Sequence, residues 1–155
     1  MKYIKPALLL FILCSISAFA NAQSTVESDA IVGVWETGSG KARVKISKSG
    51  NYYYGRIVWL KDPIDPETNK PKVDKNNPID SLRQTPLLGL RMLKSFEFKS
   101  TNLWEAGTIY DPESGSTYSC TINMADNNTL NIRGFIGISV LGRTDVWKRL
   151  EMKGK

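Results

Sequence analysis

Residues 31–35, Ile31-Val32-Gly33-Val34-Trp35, place a tryptophan two positions after a glycine within an apolar run. β-Branched residues in such a run favour an extended strand. At the other end of the chain, Arg149 lies six residues before the last residue. It closes another segment of strand-like composition. The glycine–tryptophan pair and the late arginine therefore mark the first and last predicted strands.

Beyond this stretch, the chain divides into eight segments that resemble strands. Ala42, Val44 and Ile46 alternate with Arg43 and Lys45, as in a half-buried strand. Short strands at near-regular spacing predict an all-β domain, either a sandwich or a barrel, and the scarcity of long gaps favours up-and-down order. The segments are 31–37, 42–47, 51–60, 90–98, 103–110, 117–124, 129–135 and 144–150.

One connector interrupts the regular spacing, between the third and fourth predicted strands. Five prolines occur there among Asp and Asn residues: Pro63, Pro66, Pro71, Pro78 and Pro86. Proline removes a backbone donor and fixes φ, so we expect neither regular strand nor long helix in this segment.

The N-terminus has the features of a cleaved signal peptide. Lys2 and Lys5 precede an apolar run, and Ala20-Asn21-Ala22 is a small-x-small cleavage site. The run is too short to cross a bilayer core of about 30 Å as a helix, so we expect no transmembrane anchor. We predict export to the periplasm or secretion. The predicted divisions are a signal peptide (1–22), a polar leader (23–30), one barrel domain (31–150) and a basic tail (151–155).

Composition excludes several classes of chemistry. The chain has no histidine, which removes histidine-based acid–base catalysis, the usual catalytic zinc sets and histidine haem ligation. After cleavage Cys120 would be the only cysteine, so no internal disulfide could form and the core must hold the fold. We read Cys120 as a buried small apolar residue. We predict no metal, no cofactor and no catalytic residue.

The net charge of +6 is spread along the chain rather than clustered. In residues 61–83, five basic side chains are mixed with five acidic ones. Nucleic-acid binding requires a basic stripe with aromatic residues for stacking, and the sequence shows none. We therefore predict no nucleic-acid partner and only a weak attraction to anionic surfaces.

Blocks of sequence across residues 30–150 resemble a bacterial exported family, domain of unknown function 2147. The Gly-x-Trp stretch with a late arginine also resembles the calycins, small barrels of the lipocalin and avidin type. These resemblances imply a calycin-like barrel in the cell envelope, with no established activity. The blocks are residues 31–35, 53–60, 76–78, 86–90, 107–115, 118–120 and 133–137.

The calycin resemblance also assigns the two ends of the barrel. The Gly-x-Trp strand of a calycin begins at the closed end, so we expect Gly33, Trp35 and Arg149 to seal that end, with the guanidinium stacked on the indole. The longest and most glycine-rich connectors then collect at the open end. We expect a functional site at the mouth formed by residues 61–89, 111–116 and 136–142.

Candidate ligand-binding residues follow from this mouth. Leu87, Leu88, Ile138 and Leu141 are apolar residues in connectors, where water-facing side chains are usual. Their alternative role is to pack a loop onto the barrel. Tyr54 and Arg56 share one face of a long strand, and if that face points inward they are polar groups of the lumen. Periodicity does not decide which face is inside, because both are half apolar.

These features predict a barrel that binds a small apolar or amphipathic ligand at its open end, without catalysis. The alternative is an envelope interaction module whose interior is filled with side chains and whose rim loops contact another protein. A lumen cavity of several hundred Å³ distinguishes the first from the second.

Overall fold

The computed structural model describes residues 27–138 and 141–151. The predicted signal peptide, the first half of the polar leader, Ser139 and Val140 of the last predicted rim loop and most of the basic tail lie outside these residues. In the described part, no helix is long and apolar enough to cross a membrane.

Eight strands form a closed antiparallel barrel, and two very short strands form a separate hairpin. The ring order is β1-β10-β9-β8-β7-β6-β3-β2, so every barrel strand pairs with its neighbour along the chain and the last pairs with the first. The predicted fold is confirmed. The strands are β1 (Gly33–Glu36), β2 (Ala42–Ser49), β3 (Tyr52–Leu60), β4 (Ile64–Asp65), β5 (Lys70–Pro71), β6 (Arg91–Ser100), β7 (Leu103–Asp111), β8 (Ser116–Asp126), β9 (Thr129–Phe135) and β10 (Arg143–Arg149).

The first strand begins later than the sequence predicts. Residues Asp29–Ile31 form a 3-10 helix, and the N–H of Val32 donates to the carbonyl of Asp29. This turn delays the extended backbone until Gly33. The buried carbonyl of Ser28 accepts a hydrogen bond from the Trp104 indole. The folded domain therefore includes residues that the sequence assigns to a polar leader.

The segment between β3 and β6, residues 61–90, is called the connector below. It contains the β4–β5 hairpin and a 3-10 helix at Asp80–Leu82. The prediction that its prolines exclude strand was wrong for two residue pairs, one of which includes Pro71. A proline is tolerated at a strand edge, where no ladder hydrogen bond needs its missing N–H.

Inward-pointing side chains fill the barrel. Three tryptophans are almost fully buried, Trp35, Trp104 and Trp147. Smaller apolar residues pack between them. The sulfur of Cys120 is also buried, and burial raises the pKa of its thiol to about 12. A thiol in this setting stays protonated and unreactive at neutral pH.

Two glycines make room for large side chains in this core. A Cβ at Gly107 would lie 2.4 Å from the nearest ring atom of Phe96, and one at Gly55 would lie 2.8 Å from the nearest atom of Leu93. Both glycines are on inward positions of their strands. Their missing side chains therefore leave space for the Phe96 ring and the Leu93 side chain.

We predict that Gly107→Ala destabilises the protein by about 1–3 kcal/mol, because the added methyl overpacks the core against Phe96. Gly134→Ala is the matched control, since its Cβ would meet Ile109 at an ordinary 3.4 Å. Urea unfolding followed by tryptophan fluorescence measures both variants. Equal stability of the two would contradict the proposed contact.

Candidate functional site

Arg149 closes one end of the barrel. Its guanidinium carbon lies 4.1 Å from the centre of the Trp35 ring, and the two residues are directly paired between β10 and β1. The guanidinium also donates to the carbonyls of Val32 (3.0 Å), Asn127 (2.6 Å) and Ala30. Partial burial lowers the pKa of this arginine. The expected pairing of Trp35 with Arg149 is present.

Gly33 is part of the same arrangement. Its φ is +148°, a backbone conformation that favours glycine, and a Cβ there would lie 2.7 Å from a guanidinium nitrogen of Arg149. The Trp35 indole in turn donates to the carbonyl of Ile31 at 2.9 Å. The Gly-x-Trp stretch and the late arginine therefore form one interlocked unit.

A second set of contacts covers this closed end. Asp29 accepts hydrogen bonds from Lys48 at 2.6 Å and from the hydroxyl of the buried Tyr53 at 2.8 Å. The hydrogen bond from Lys48 is the main cause that lowers the pKa of Asp29. Ser28, Lys48 and Tyr53 help to line a small surface pocket of about 310 Å³ at this end. It lies outside the barrel interior.

The opposite end is covered by the connector. The side chain of Asp74, which is fully buried, accepts hydrogen bonds from Asn77 (2.7 Å) and from the hydroxyl of Tyr110 on β7 (2.8 Å). Burial, followed by the bond to Asp74, raises the pKa of Tyr110 to about 12, so its hydroxyl remains a donor at neutral pH. A buried carboxylate needs such donors to offset its lost hydration.

The connector also docks on the β7–β8 turn. The amide of Asn76 donates to the carbonyl of Glu113 at 2.8 Å, and a Cβ at Gly115 would lie 2.0 Å from the Asn76 carbonyl oxygen. Gly115 has a φ of +70° and allows this close approach. The connector is thus held at a fixed position on the rim through its backbone as well as through Asp74.

One ion pair spans the mouth. Lys41 in the β1–β2 loop lies 3.0 Å from Glu113 in the β7–β8 turn. These two connections are on opposite sides of the eight-strand ring. Both side chains are largely exposed, so the pair adds little to stability. The pair is informative about the geometry of the mouth, because it shows that opposite rim loops meet above the barrel.

The last rim loop, residues 136–142, exposes the three large apolar side chains that the structure describes there. Ile136, Ile138 and Leu141 are 74%, 63% and 78% exposed. Exposed large apolar side chains concentrated on one loop indicate a binding surface more than single scattered ones do. We call these three residues the rim patch.

A groove begins where this loop enters β10. In the described chain β10 pairs with β9 through six residues, but with β1 only through Lys148 and Arg149. The gap left beside β1 is a groove of about 520 Å³. Its lining is Glu36, Thr37, Gly38, Gly40, Thr144, Asp145, Val146 and Lys148.

Asp145 organises the floor of the groove. Its carboxylate accepts a hydrogen bond from the Trp147 indole at 2.7 Å and one from the Gly38 N–H at 3.3 Å. A Cβ at Gly38 would lie 2.1 Å from Asp145, so this loop position has no space for a side chain. The groove therefore lies directly beside a tryptophan of the barrel core.

The structure separates the predicted ligand-binding residues into three places, which are the rim patch, the connector and the outer face of β3. Ile138 and Leu141 are exposed on the rim patch, whereas Leu87 and Leu88 lie in the connector, with Leu87 half-buried and Leu88 55% exposed. The connector and the β7–β8 turn contact each other as expected. Among the described residues, no hydrogen bond or ion pair joins either of them to loop 136–142.

The structure decides which face of β3 points inward, and it is not the face that carries Tyr54 and Arg56. On β3 the buried residues are Tyr53, Gly55 and Ile57, so the side chains between them point outward. Arg56 is exposed and donates to the Gly89 carbonyl at 3.0 Å. The alternation itself was readable from sequence, but the choice of face needed the burial of Tyr53, which is an aromatic residue with a polar group.

The groove was not foreseen from the sequence. Most of its lining residues are polar, and only the premature end of β1 exposes them together. The glycines of the β1–β2 loop were the one feature of the sequence that could have indicated the groove. Among the described residues, no three Cys, Asp or Glu side chains are grouped so as to hold a metal ion.

Comparison with known proteins agrees with this architecture. The family model described as an uncharacterized protein conserved in bacteria (DUF2147) matches residues 33–149. The chain belongs to this family. A solved structure, protein HP1028 from the human pathogen Helicobacter pylori, is described as belonging to the lipocalin family. It is 22% identical, with a TM-score of 0.68, over 79% of this chain and 84% of that chain. A search of curated proteins found no match.

We predict that Trp35→Ala lowers the free energy of unfolding by about 3–5 kcal/mol, as for other large-to-small core changes. Arg149→Lys keeps the charge but loses the planar guanidinium with its several donors, so it should also destabilise the protein, though by less than Trp35→Ala. Thermal and urea unfolding measure both variants. Unchanged melting of the Trp35→Ala protein would contradict a sealing role.

We predict that Tyr110→Phe loosens the connector, because the buried Asp74 carboxylate loses a donor at a cost of about 1–3 kcal/mol. Limited trypsin digestion should then cut after Lys72 and Lys75 roughly tenfold faster, since local opening becomes easier. Tyr118→Phe on the neighbouring strand is the control, because its hydroxyl makes no hydrogen bond within the described chain. Equal cleavage of both variants would count against the role of Tyr110.

Proposed function

We propose that this protein binds a small amphipathic molecule at its open rim, in the groove beside β10 and against the rim patch, without catalysing a reaction. The observation that carries this proposal is the concentration of exposed Ile136, Ile138 and Leu141 on the loop that leads into the groove. The lipocalin-like barrel supports it, since barrels of this size can hold one small ligand.

The chemistry of the groove suits an amphipathic ligand. An apolar part could cover Val146 and the rim patch, whereas Glu36, Asp145 and Lys148 offer charges of both signs to a polar head. Glu36 is already paired with Arg43 at 3.1 Å. Asp145 accepts from two donors and Lys148 donates to the Thr129 hydroxyl, but within the described residues neither is in an ion pair. We therefore expect these two charges to select the ligand's head group.

The site differs from a ligand cavity inside the barrel. The interior holds Trp35, Trp104 and Trp147, and the connector and the Lys41–Glu113 pair cover the mouth. We place the ligand at the rim for that reason. The filled interior also favours the second candidate, an interaction module whose rim loops contact another protein. We propose an exported location on the basis of residues 1–22 alone.

The rim proposal predicts that Ile138→Ser with Leu141→Ser weakens binding of the apolar fluorophore N-phenyl-1-naphthylamine by tenfold or more, an estimate based on about 25 cal/mol per Å² of lost apolar contact. Ile64→Ser with Ile79→Ser is the matched control, because these exposed isoleucines lie in the connector. Fluorescence titration measures the binding constants. Equal binding by both variants would contradict the rim site.

Native mass spectrometry distinguishes the two candidate functions. Protein purified after export and sprayed without denaturation should carry an additional mass of a few hundred daltons if a small ligand is retained, an expectation for drug-sized sites. The variant that combines Ile138→Ser with Leu141→Ser should lose that mass. A stoichiometric protein partner in place of a small molecule would instead support the interaction module.

A further inference from the structure

The outer face of β2, β3 and β6 carries a row of three cations. The strand registers place Lys45 opposite Arg56, and Arg56 opposite Arg91. All three side chains are exposed. The residues that alternate with the first two along their strands, Val44, Ile46, Gly55 and Ile57, are buried, so Lys45 and Arg56 point away from the barrel axis.

This arrangement is costly for the folded state. Lys45 and Arg56 are opposite each other in a regular part of the β2–β3 ladder, where Cβ atoms are about 4.5–5.5 Å apart and like charges repel. Arg91 pairs with Arg56 beyond a register shift of the β3–β6 ladder. Within residues 27–138 and 141–151, none of the three cations has an acidic group within ion-pair distance. Arg43, also on this face, is by contrast paired with Glu36. A row of cations without acidic neighbours favours an anionic partner.

The strand register brings together cations that are far apart in the sequence. Lys45, Arg56 and Arg91 are separated by more than ten residues from one another, so no window of sequence shows a basic cluster. Only the strand register brings these three cations side by side. Neighbouring strands are about 4.8 Å apart, so Arg56 lies within a Debye length of about 8 Å of each of the other two cations at physiological salt.

We propose that this outer face of β2, β3 and β6 docks on the phosphate-bearing surface of an anionic phospholipid membrane. The shape and charge of the face are the first of three observations that favour a lipid surface. The face is the outside of a barrel, and neither pocket described above includes any of the three cations. A convex face suits an extended planar anion better than a small solute. Guanidinium groups, two of the three here, pair well with phosphate oxygens.

The aromatic residues of this face supply the second observation. Arg91 lies 4.8 Å above the Tyr54 ring, and Arg43 lies 4.2 Å above the Trp59 ring. One face of each ring is therefore covered by a cation, which leaves fewer ring faces for base stacking. Single-stranded nucleic acid binding depends on such stacking. The covered rings thus favour lipid phosphate over nucleic acid.

Exposed apolar contacts supply the third observation. Tyr52 and Val58 on β3 are each 42% exposed, on either side of Arg56. Tyrosine and the stems of long cationic side chains are suited to the membrane–water interface, where one end of a side chain is apolar and the other wet. The face therefore combines the charge and the amphipathic side chains of a peripheral membrane contact.

The test is sedimentation of the exported, purified protein with vesicles made of equal parts phosphatidylcholine and phosphatidylglycerol. We expect binding at low salt, loss of binding at high salt, and no binding to pure phosphatidylcholine. Substituting Lys45→Gln, Arg56→Gln and Arg91→Gln together should weaken binding about a hundredfold, at roughly fivefold per cation.

A charge-matched control separates the row from net charge. Lys70→Gln, Lys75→Gln and Arg143→Gln remove the same three charges from exposed positions elsewhere. We expect this variant to bind the anionic vesicles within about threefold of the unchanged protein, since its charges lie away from the docking face. Both variants should unfold at a temperature no lower than the original, which shows that they fold.

Three outcomes would overturn the proposal. Absence of binding to the phosphatidylglycerol vesicles would remove the membrane partner. An equal loss of binding in both triple variants would assign the effect to net charge alone. Tighter binding of a single-stranded oligonucleotide than of the vesicles at the same salt, abolished by the row substitutions, would assign the face to nucleic acid.

Discussion

The stacking of Arg149 on Trp35 is the interaction on which the rest of the barrel depends. In the described chain β1 and β10 share only two residue pairs, one of which is Trp35 with Arg149. A barrel avoids exposed edges only if its first and last strands meet. The guanidinium completes this junction, because it reaches the carbonyls of Ala30, Val32 and Asn127 as well as the indole. These side-chain contacts supplement the short backbone ladder between β1 and β10.

The same short junction explains the position of the groove. β1 ends at Glu36, whereas β10 begins at Arg143, so the first half of β10 has no partner on that side among the described residues. A backbone edge left open in this way is a place where another group can dock. Asp145 links the two sides of the gap, because its carboxylate accepts from the Trp147 indole on β10 and from the Gly38 N–H of the β1–β2 loop.

The two ends of the barrel are closed by different kinds of hydrogen bond. At the end with Arg149, backbone carbonyls of residues 28–32 accept from tryptophan and arginine donors. At the other end, the connector is tied down by the buried Asp74 carboxylate, whose donors are Asn77 and Tyr110. With both ends covered and three tryptophans inside, the surfaces left for recognition are the rim and the outer face.

Local patterns in the sequence were enough to predict the strands and an all-β domain, because alternation and turn residues are short-range features. The boundaries of most strands were right within two residues for the same reason. The resemblance to calycins added the closed end and the pairing of Trp35 with Arg149. Burial of Cys120 also followed from its position among apolar neighbours on one face of β8.

The choice of the inner face of β3, and what the outer face displays, depend on contacts between distant parts of the chain. Tyr53 is buried in the core and its hydroxyl donates to Asp29 in the first 3-10 helix, so the alternate residues Tyr54 and Arg56 point outward. The cation row exists only because register aligns three distant residues, and the groove exists only because β1 ends early. Strand pairing over long sequence separations is not encoded in any local window, so these features required the assembled barrel.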